Sequence, residues 1–160
     1  MIEYSAGNEL DEIDASILQE LQRNGRISNA DLARHINLSP PATHARLKRL
    51  EQAGFIDEYV TMLNRDRLGF DMLCFVNISL QMHQPEEVER FRKAIEAVPE
   101  VLECFHVTGE FDYLLKVVIH NQKDLERFLV KRLTPIPGVA RIYTSLVVNE
   151  VKSTTALPLS

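Results

Sequence analysis

The chain has 160 residues, of which 45% are hydrophobic and 26% charged, and its formal net charge is −5 at pH 7. This composition is typical of a globular protein with one or two small cores and excludes an intrinsically disordered chain. No apolar run approaches the ~20 residues that span a bilayer, and the acidic opening MIEYSAGNELDE does not resemble a signal peptide, so we expect a cytoplasmic protein with no membrane partner.

The first predicted helix begins after Asp11, and residues 1–9 before it are expected to form a loose leader. Acidic side chains in its first turn are favourable beside the positive end of the helix dipole. The dipeptide Asn24-Gly25 ends the helix. Its apolar stripe is expected to support the two helices that follow, and it consists of Ile13, Ile17, Leu18 and Leu21.

Two further helices are predicted to be joined by a tight turn. Ser28 is a good N-cap for the first of them, and Asn37 tolerates the left-handed conformation that often ends a helix. Ser39 caps the next helix, Pro40 occupies its first position, where no amide hydrogen is needed, and Gly54 ends it. Its inward stripe is expected to be Thr43, Leu47 and Leu50.

The segment from Arg23 to Arg49 is basic although the whole chain is acidic. It contains six basic residues and one acid, Asp31, a net charge of +5. A charge run alone more often marks a solvated helix face, but together with the caps and the turn it predicts a helix that enters the major groove of double-stranded DNA. The candidate DNA-binding residues are Arg26, Arg34, Ser39, Thr43, His44, Arg46, Lys48 and Arg49.

The run from Phe55 to Val60 can form a strand, which would be the wing of the DNA-binding domain. A polar turn signal from Asn64 to Gly69 places the domain boundary there. We therefore predict a DNA-binding domain at residues 10–63 and a linker at residues 64–71. A second domain follows at residues 72–151, and a C-terminal tail at residues 152–160.

The second half alternates strand and helix signals in the order βαββαβ, a ferredoxin-like unit, so the predicted fold class is α+β. Strands are predicted at Leu73–Met82, Val101–Thr108, Asp112–His120 and Val139–Val151. A helix opens at Pro85 and closes at Pro99, and another stops at Pro135. The turn Gly109-Glu110-Phe111 is expected to make a hairpin of the second and third strands.

The first and third strands are apolar on both sides, as the alternation of Tyr113, Leu115 and Val117 with Leu114 and Val118 illustrates. A half-exposed sheet should be polar on one side. A lone subunit would expose a large apolar patch, so we predict a two-fold homodimer through this domain.

No cofactor or metal is expected. Cys74 and Cys104 lie in apolar runs outside any CxxC pair and are interpreted as reduced core thiols, with a redox pair as the alternative. Cys104 and His106 share a strand face, but a metal site needs more ligands. His83 and His120 are expected to face solvent, and no catalytic motif is present.

Two stretches resemble the leucine-responsive/asparagine regulator (Lrp/AsnC) family of prokaryotic transcription factors. LDEIDASILQELQRNGRISNADLARHINLSP followed by RLKRLEQAGFI is similar to its winged helix-turn-helix, and VTGEFDYLLKVV is similar to the core motif of its ligand-sensing domain. The match runs from about Leu10 to Leu159. The chain departs from the commonest family pattern at residues 41–45 and at Asn37.

The resemblance implies an effector pocket, whereas periodicity alone favours a plain hairpin. In the family the corresponding loop binds a small molecule, commonly an amino acid, and dimers assemble further into tetramers or octamers. Amides near Gly109 could hold a carboxylate, Asp112 could pair with an ammonium group, and Tyr113 could bound the side-chain space. The residues so implied are Thr108, Gly109, Glu110, Asp112 and Tyr113, with Thr134, Pro137, Gly138 and Val139 on the opposite wall.

Two alternatives stay open at this stage. Haem-biosynthesis decarboxylases are known that resemble this family and retain a helix-turn-helix, although an enzyme would not need the basic face of Arg46, Lys48 and Arg49. A stand-alone amino-acid-binding assembly factor would have no salt-dependent affinity for DNA.

Overall fold

The structure, a computed structural model of one chain, describes residues 10–81 and 84–159. The leader predicted at residues 1–9, and the predicted positions of Met82 and His83, lie outside the described residues. The chain divides into two compact units: one combines the described residues up to Met62 with the segment from Lys152, and the other runs from Leu63 to Val151. Within these ranges no helix is long and apolar enough to cross a membrane.

The first unit contains three helices, α1 (Glu12–Arg23), α2 (Asn29–His35) and α3 (Pro40–Gln52). Helix α1 begins at a capping box, in which the Asp14 amide donates to Asp11 Oδ1 at 2.8 Å and the Asp11 amide donates to Asp14 Oδ2 at 3.3 Å. Helices α2 and α3 begin at Ser28 and Ser39, as predicted, and each serine hydroxyl accepts a hydrogen bond from a first-turn amide.

The turn between α2 and α3 depends on Asn37, whose φ is 55°. Among the described residues it is the one non-glycine residue with positive φ, so the left-handed conformation predicted for it is confirmed. The prediction that Gly54 ends α3 is also supported, because its φ is 75°.

The core of this unit is built by Ile17, Leu18, Leu32 and Leu50, which are 0–8% exposed. The predicted C-terminal tail packs against it: Leu159 contacts the core, and the Gln19 side-chain amide donates to the Leu159 carbonyl. Gln22 exchanges two hydrogen bonds with the Leu157 backbone, at 2.5 and 3.1 Å. The segment from Lys152 to Leu159 is thus part of the first unit.

The predicted wing strand at Phe55–Val60 is wrong, because the structure has no strand between α3 and β1. A strand needs a neighbour for its backbone groups, and none of the described residues pairs with this segment. Phe55 and Ile56 pack against the helical core instead. The Tyr59 hydroxyl donates to Glu51 Oε1 at 2.9 Å, which ties the segment to the end of α3.

The second unit confirms the predicted βαββαβ order. After a short 3₁₀ turn at Asp66–Leu68, its elements are β1 (Met72–Leu80), α4 (Pro85–Glu96), β2 (Val101–His106), β3 (Tyr113–Ile119), α5 (Gln122–Phe128) with a π-helical turn at Leu129–Leu133, and β4 (Val139–Leu146). The sheet order is β2-β3-β1-β4, and every neighbouring pair is antiparallel. The last strand ends five residues before the predicted Val151.

One face of the sheet carries the core. The other, the open face, is buried at its Leu73–Val118 pair and exposed at Phe105 and Tyr143. On the covered face, Cys74, Val76 and Ile78 of β1 pack in one cluster with Phe91 of α4 and Phe128 of α5. On the open face the register aligns a cross-sheet row. The row consists of Phe105, Leu114, Asn77 and Tyr143. Its two ends are 47% and 58% exposed, so the sheet presents apolar rings to its surroundings.

The cysteine prediction holds for one residue only. Cys74 is 0% exposed in the core, but Cys104 is exposed because it lies on the edge strand β2. His120 is exposed as expected, and it stacks on Phe70 at 4.2 Å. No group of three or more potential metal ligands occurs in the described ranges.

Candidate nucleic-acid interface and ligand loops

Helix α3 presents an exposed face that is polar and partly cationic. His44, Lys48 and Arg49 are exposed along it, and Ser39 is exposed at its N-terminus. Thr43 is 0% exposed and its hydroxyl donates to the Ser39 carbonyl at 3.1 Å. Thr43 therefore belongs to the core, and its predicted contact with DNA is withdrawn.

Arg46 turns from the exposed face of α3 towards the start of α1. Its Nη1 donates to Asp11 Oδ2 at 2.6 Å and to Asp14 Oδ1 at 2.9 Å, while Arg49 Nη2 bonds to the other oxygen of Asp14. The side chain of Asp14 is 1% exposed, that of Arg46 30% and that of Arg49 56%. Two arginines of α3 thus share one buried carboxylate of α1.

The electrostatics of this cluster favour its charged form. Burial acts to raise the pKa of Asp11, but the hydrogen bonds from Arg46 and from the backbone outweigh it and hold that pKa below its usual value. The hydrogen bonds that Arg46 donates to Asp11 and to Asp14 raise the pKa of Arg46. Both members of the pair stay ionised at neutral pH.

The remaining basic residues divide into paired and unpaired. Arg34 pairs with Asp31, which also accepts from the Ser28 hydroxyl at 2.6 Å, and Arg23 pairs with Glu20 at 2.8 Å. The side chains of Arg26 and Lys48 form no ion pair with any described residue. Much of the predicted +5 is therefore compensated by carboxylates within this unit.

The sequence count missed this compensation because three of the acids lie outside the counted segment. Asp11, Asp14 and Glu20 belong to α1, which precedes Arg23 in the chain but contacts α2 and α3 in the fold. The available signal was the spacing of three between Asp11 and Asp14 and between Arg46 and Arg49, which places each pair on one side of its helix.

In the second unit, both predicted ligand loops meet the C-terminal end of β1. The Leu80 amide donates to Asp112 Oδ2 at 2.8 Å, and the Gln81 amide donates to the Gly138 carbonyl at 2.7 Å. Leu80 also pairs with Val139 of β4. Because β1 separates β3 from β4, the loops are roughly 10 Å apart across two strand spacings.

A surface ion pair also connects the hairpin loop with β4. Glu110 Oε1 in the hairpin loop pairs with Arg141 Nη1 of β4 at 2.7 Å. The Arg141 guanidinium lies 5.6 Å from the centre of the Phe111 ring, and that ring stacks with Tyr143 at 6.2 Å. The hairpin loop is thereby attached to the open face of the sheet.

The predicted ligand residues differ in accessibility. Thr108, Gly109, Glu110, Thr134 and Pro137 are exposed, while Asp112, Gly138 and Val139 are half-buried. Tyr113 is 4% exposed, between Phe91 at 4.6 Å and His106 at 5.0 Å. Tyr113 therefore packs in the core, because it begins β3 on the covered face, and its predicted place at a surface pocket is corrected.

Two family models match the chain. One, described as the Lrp/AsnC ligand binding domain, matches residues 73–157, and one described as winged helix-turn-helix DNA-binding matches residues 10–57. The leucine-responsive regulatory protein of Klebsiella pneumoniae is 40% identical over 151 residues, which are 94% of this chain and 92% of that protein.

Solved structures agree with these matches. The crystal structure of a Neisseria meningitidis transcriptional regulator in complex with L-Met has a TM-score of 0.92 and 36% identity, covering 94% of this chain and 97% of that one. An AsnC family transcriptional regulator from Agrobacterium tumefaciens has a TM-score of 0.89 and 29% identity, with the same coverage. The chain belongs to the Lrp/AsnC family of transcriptional regulators.

Proposed function

We propose that this regulator binds double-stranded DNA as a homodimer, or as a tetramer or octamer built from dimers, and that an amino acid modulates its assembly or its affinity. Binding, not catalysis, is its activity, and it acts in the cytoplasm, where bacterial DNA lies. The observation that carries the proposal is the exposed face of α3, on a three-helix unit within the same chain as a ligand-domain fold.

The proposed DNA contacts follow from exposure and charge. His44, Lys48 and Arg49 face outward and would enter the major groove. Ser39, Arg26 and Arg34 flank that face, so they would position the protein on phosphates without reading sequence. A dimer would place its two recognition helices about 34 Å apart, on a pseudo-palindromic site.

DNA binding is tested by selecting genomic fragments that the protein retains and measuring affinity for the best one. Lys48→Ala should weaken binding and, if Lys48 contacts a phosphate, lower the slope of log K against log salt by about 1. Lys123→Ala is the matched control, because Lys123 is exposed in the other unit and forms no ion pair with a described residue. Equal affinities of the Lys48 variant and the wild type would contradict its assignment.

For the dimer, we propose that a second copy covers the open face of the sheet. Phe105 and Tyr143 expose apolar rings on this face, Leu114 pairs with Phe105 in the register, and Phe75 lies on the same face two residues from Asn77, the partner of Tyr143. Phe105→Glu should dissociate the assembly in analytical ultracentrifugation. Val130→Glu is the control, since Val130 is 59% exposed on the π-helical turn and not on the sheet. A monomeric wild-type protein at micromolar concentration would overturn this part.

For the effector, we propose an amino acid that binds beside the loops at the end of β1. The support is chemical: the loop around Gly109 is exposed, Glu110 supplies a carboxylate and Arg141 a guanidinium, which complement the two charged groups of an amino acid. The complex of the Neisseria regulator with L-Met makes L-methionine the first probe.

Isothermal titration with L-methionine and L-leucine tests the effector, with D-methionine as the stereochemical control. Gly109→Ala should weaken binding because Gly109 has a φ of +128°, which side-chain-bearing residues rarely adopt, although nothing lies within 4 Å of the added Cβ. Gly25→Ala, at a glycine without positive φ, should leave binding unchanged. Absence of binding heat with every common amino acid would reject the effector.

A further inference from the structure

We propose that Asp14 is a positioning residue for the recognition helix: by holding Arg46 and Arg49 it limits the positive charge that α3 offers to phosphate, and so favours specific over nonspecific DNA binding. This inference rests on the DNA-binding function proposed above. It assigns a role in DNA selection to a residue of α1 on the buried side of the helix pair.

The geometry of Asp14 leaves its carboxylate fully occupied. Residue Asp14 is 0% exposed, Oδ1 accepts from Arg46, and Oδ2 accepts from Arg49 and from the Asp11 amide. Burying an ionised carboxylate at this depth carries a large cost in free energy unless hydrogen-bond donors and opposite charges satisfy its oxygens. The two arginines are therefore held at fixed positions relative to the start of α1.

The position of the Asp14 side chain is itself fixed. Asp14 is the N3 residue of the α1 capping box, so its side-chain position is set by the helix start and its charge is stabilised by the helix dipole. Arg46 and Arg49 are three residues apart, on one side of α3. A single carboxylate that bonds both of them sets the rotation of α3 about its own axis, and with it the direction in which His44 and Lys48 point.

The two arginines then have different roles. The Arg46 side chain, 30% exposed between Asp11 and Asp14, is withdrawn from the exposed face, so we assign it to positioning and not to reading bases. The Arg49 side chain is 56% exposed, and a guanidinium has five N–H donors, so Arg49 can bond Asp14 and a phosphate together. Asp14 thus orients Arg49, a proposed phosphate contact, from the buried side of α3.

The charge balance gives the functional consequence. Asp11 and Asp14 offset the charges of Arg46 and Arg49, which leaves Lys48 as the cation of the exposed α3 face without an ion pair among the described residues. Nonspecific affinity rises with the number of phosphates neutralised, whereas specific affinity also needs correct helix orientation. Removing the Asp14 charge should therefore strengthen nonspecific binding and weaken discrimination.

The test is Asp14→Asn in the full-length chain, assayed on the selected operator and on a scrambled duplex across a salt series. We expect tighter binding to the scrambled duplex and a slope of log K against log salt that is steeper by about 0.9, the value for one added phosphate contact. The ratio of operator affinity to scrambled-duplex affinity should fall roughly tenfold, the scale of a single imperfect base contact. Destabilisation alone would lower both affinities and could not steepen the slope.

Glu20→Gln is the matched control. It removes one negative charge from the same helix, but Glu20 pairs with Arg23 and His35, not with α3. The proposal requires its affinity ratio to remain that of the wild type. An Asp14→Asn protein with wild-type slope and ratio, or a Glu20→Gln protein that shows the same change, would overturn it.

A second variant keeps the proposal testable if Asp14→Asn does not fold. Arg46→Gln should lower affinity for all single-base variants of the operator by a similar factor, because a positioning residue reads no base. Relaxed specificity at one base pair would instead identify Arg46 as a base-reading residue and overturn the assignment. A wild-type protein without salt-dependent DNA binding would overturn both this inference and the DNA-binding function.

Discussion

Leu80 and Asp112 connect the end of β1 to the hairpin loop, through a 2.8 Å hydrogen bond from the Leu80 amide to Asp112 Oδ2. In the opposite direction, the Asp112 amide donates to the Ile78 carbonyl at 2.9 Å. The Asp112 carboxylate, which the family resemblance suggests as a partner for an ammonium group, thus has a structural role. It holds the hairpin loop beside Val139, so the two predicted ligand loops keep their relative position.

Asp112→Ala should therefore destabilise the second unit by about 1–3 kcal/mol, since it leaves the amide of the buried Leu80 without this acceptor. Asp112→Asn keeps an acceptor oxygen and should lose clearly less free energy of unfolding than Asp112→Ala. Urea unfolding measures the difference, with Asp71→Ala, at an exposed residue of the same unit, as the control. Equal losses for the alanine and asparagine variants would contradict the hydrogen-bond role.

Deleting the last five residues, 156–160, should destabilise the first unit. The deletion removes the Leu159 contact with the helical core and the hydrogen bonds that join Gln19 and Gln22 to the backbone of Leu159 and Leu157. The loss of a partly buried leucine and its hydrogen bonds corresponds to about 1–3 kcal/mol. Faster hydrogen exchange in α1 would show it, whereas Lys152→Ala, at an exposed residue of the same segment, should have no effect.

The features that the sequence predicted correctly depend on neighbouring residues. The Ser28 and Ser39 caps, the left-handed Asn37 and the βαββαβ order each follow from the conformational preferences of a few adjacent residues or from local periodicity. Such preferences act before any tertiary contact forms, so a single sequence reveals them.

The features that it missed depend on contacts between distant residues. Asp14 and Arg46 are 32 positions apart in the chain, and their ion pair exists only once α1 and α3 are docked. Cys104 lies in an apolar run like Cys74, but its exposure depends on β2 being the edge strand. The strand predicted at residues 55–60 is absent for a related reason, since strand propensity has no effect without a pairing partner.

Tyr59 should ionise at a pH well above the one at which tyrosine side chains ordinarily ionise. Partial burial, followed by its hydrogen bond to the Glu51 carboxylate, raises the pKa of Tyr59 to about 12. Because the folded state holds the proton more tightly, any stabilisation from the neutral phenol is present below the unfolded pKa of about 10 and is lost as the pH rises through about 12. A difference phenolate titration between wild type and Tyr59→Phe measures it, and ionisation near pH 10 would refute the Glu51 contact.

The two cysteines should react with thiol reagents by different routes. Cys104 is exposed, but burial around its sulfur, only partly countered by Arg92, raises the pKa of its thiol. Since the thiolate is the nucleophile, native labelling of Cys104 should be slow at neutral pH and accelerate in alkali. Burial raises the pKa of Cys74 as well, and at 0% exposure this sulfur should react only after unfolding. The Cys104→Ser variant should therefore show no labelling in the native state and should be labelled at Cys74 in denaturant. Rapid native labelling of this variant would contradict the burial of Cys74, because it would mean that the sheet core opens on the time scale of the reaction.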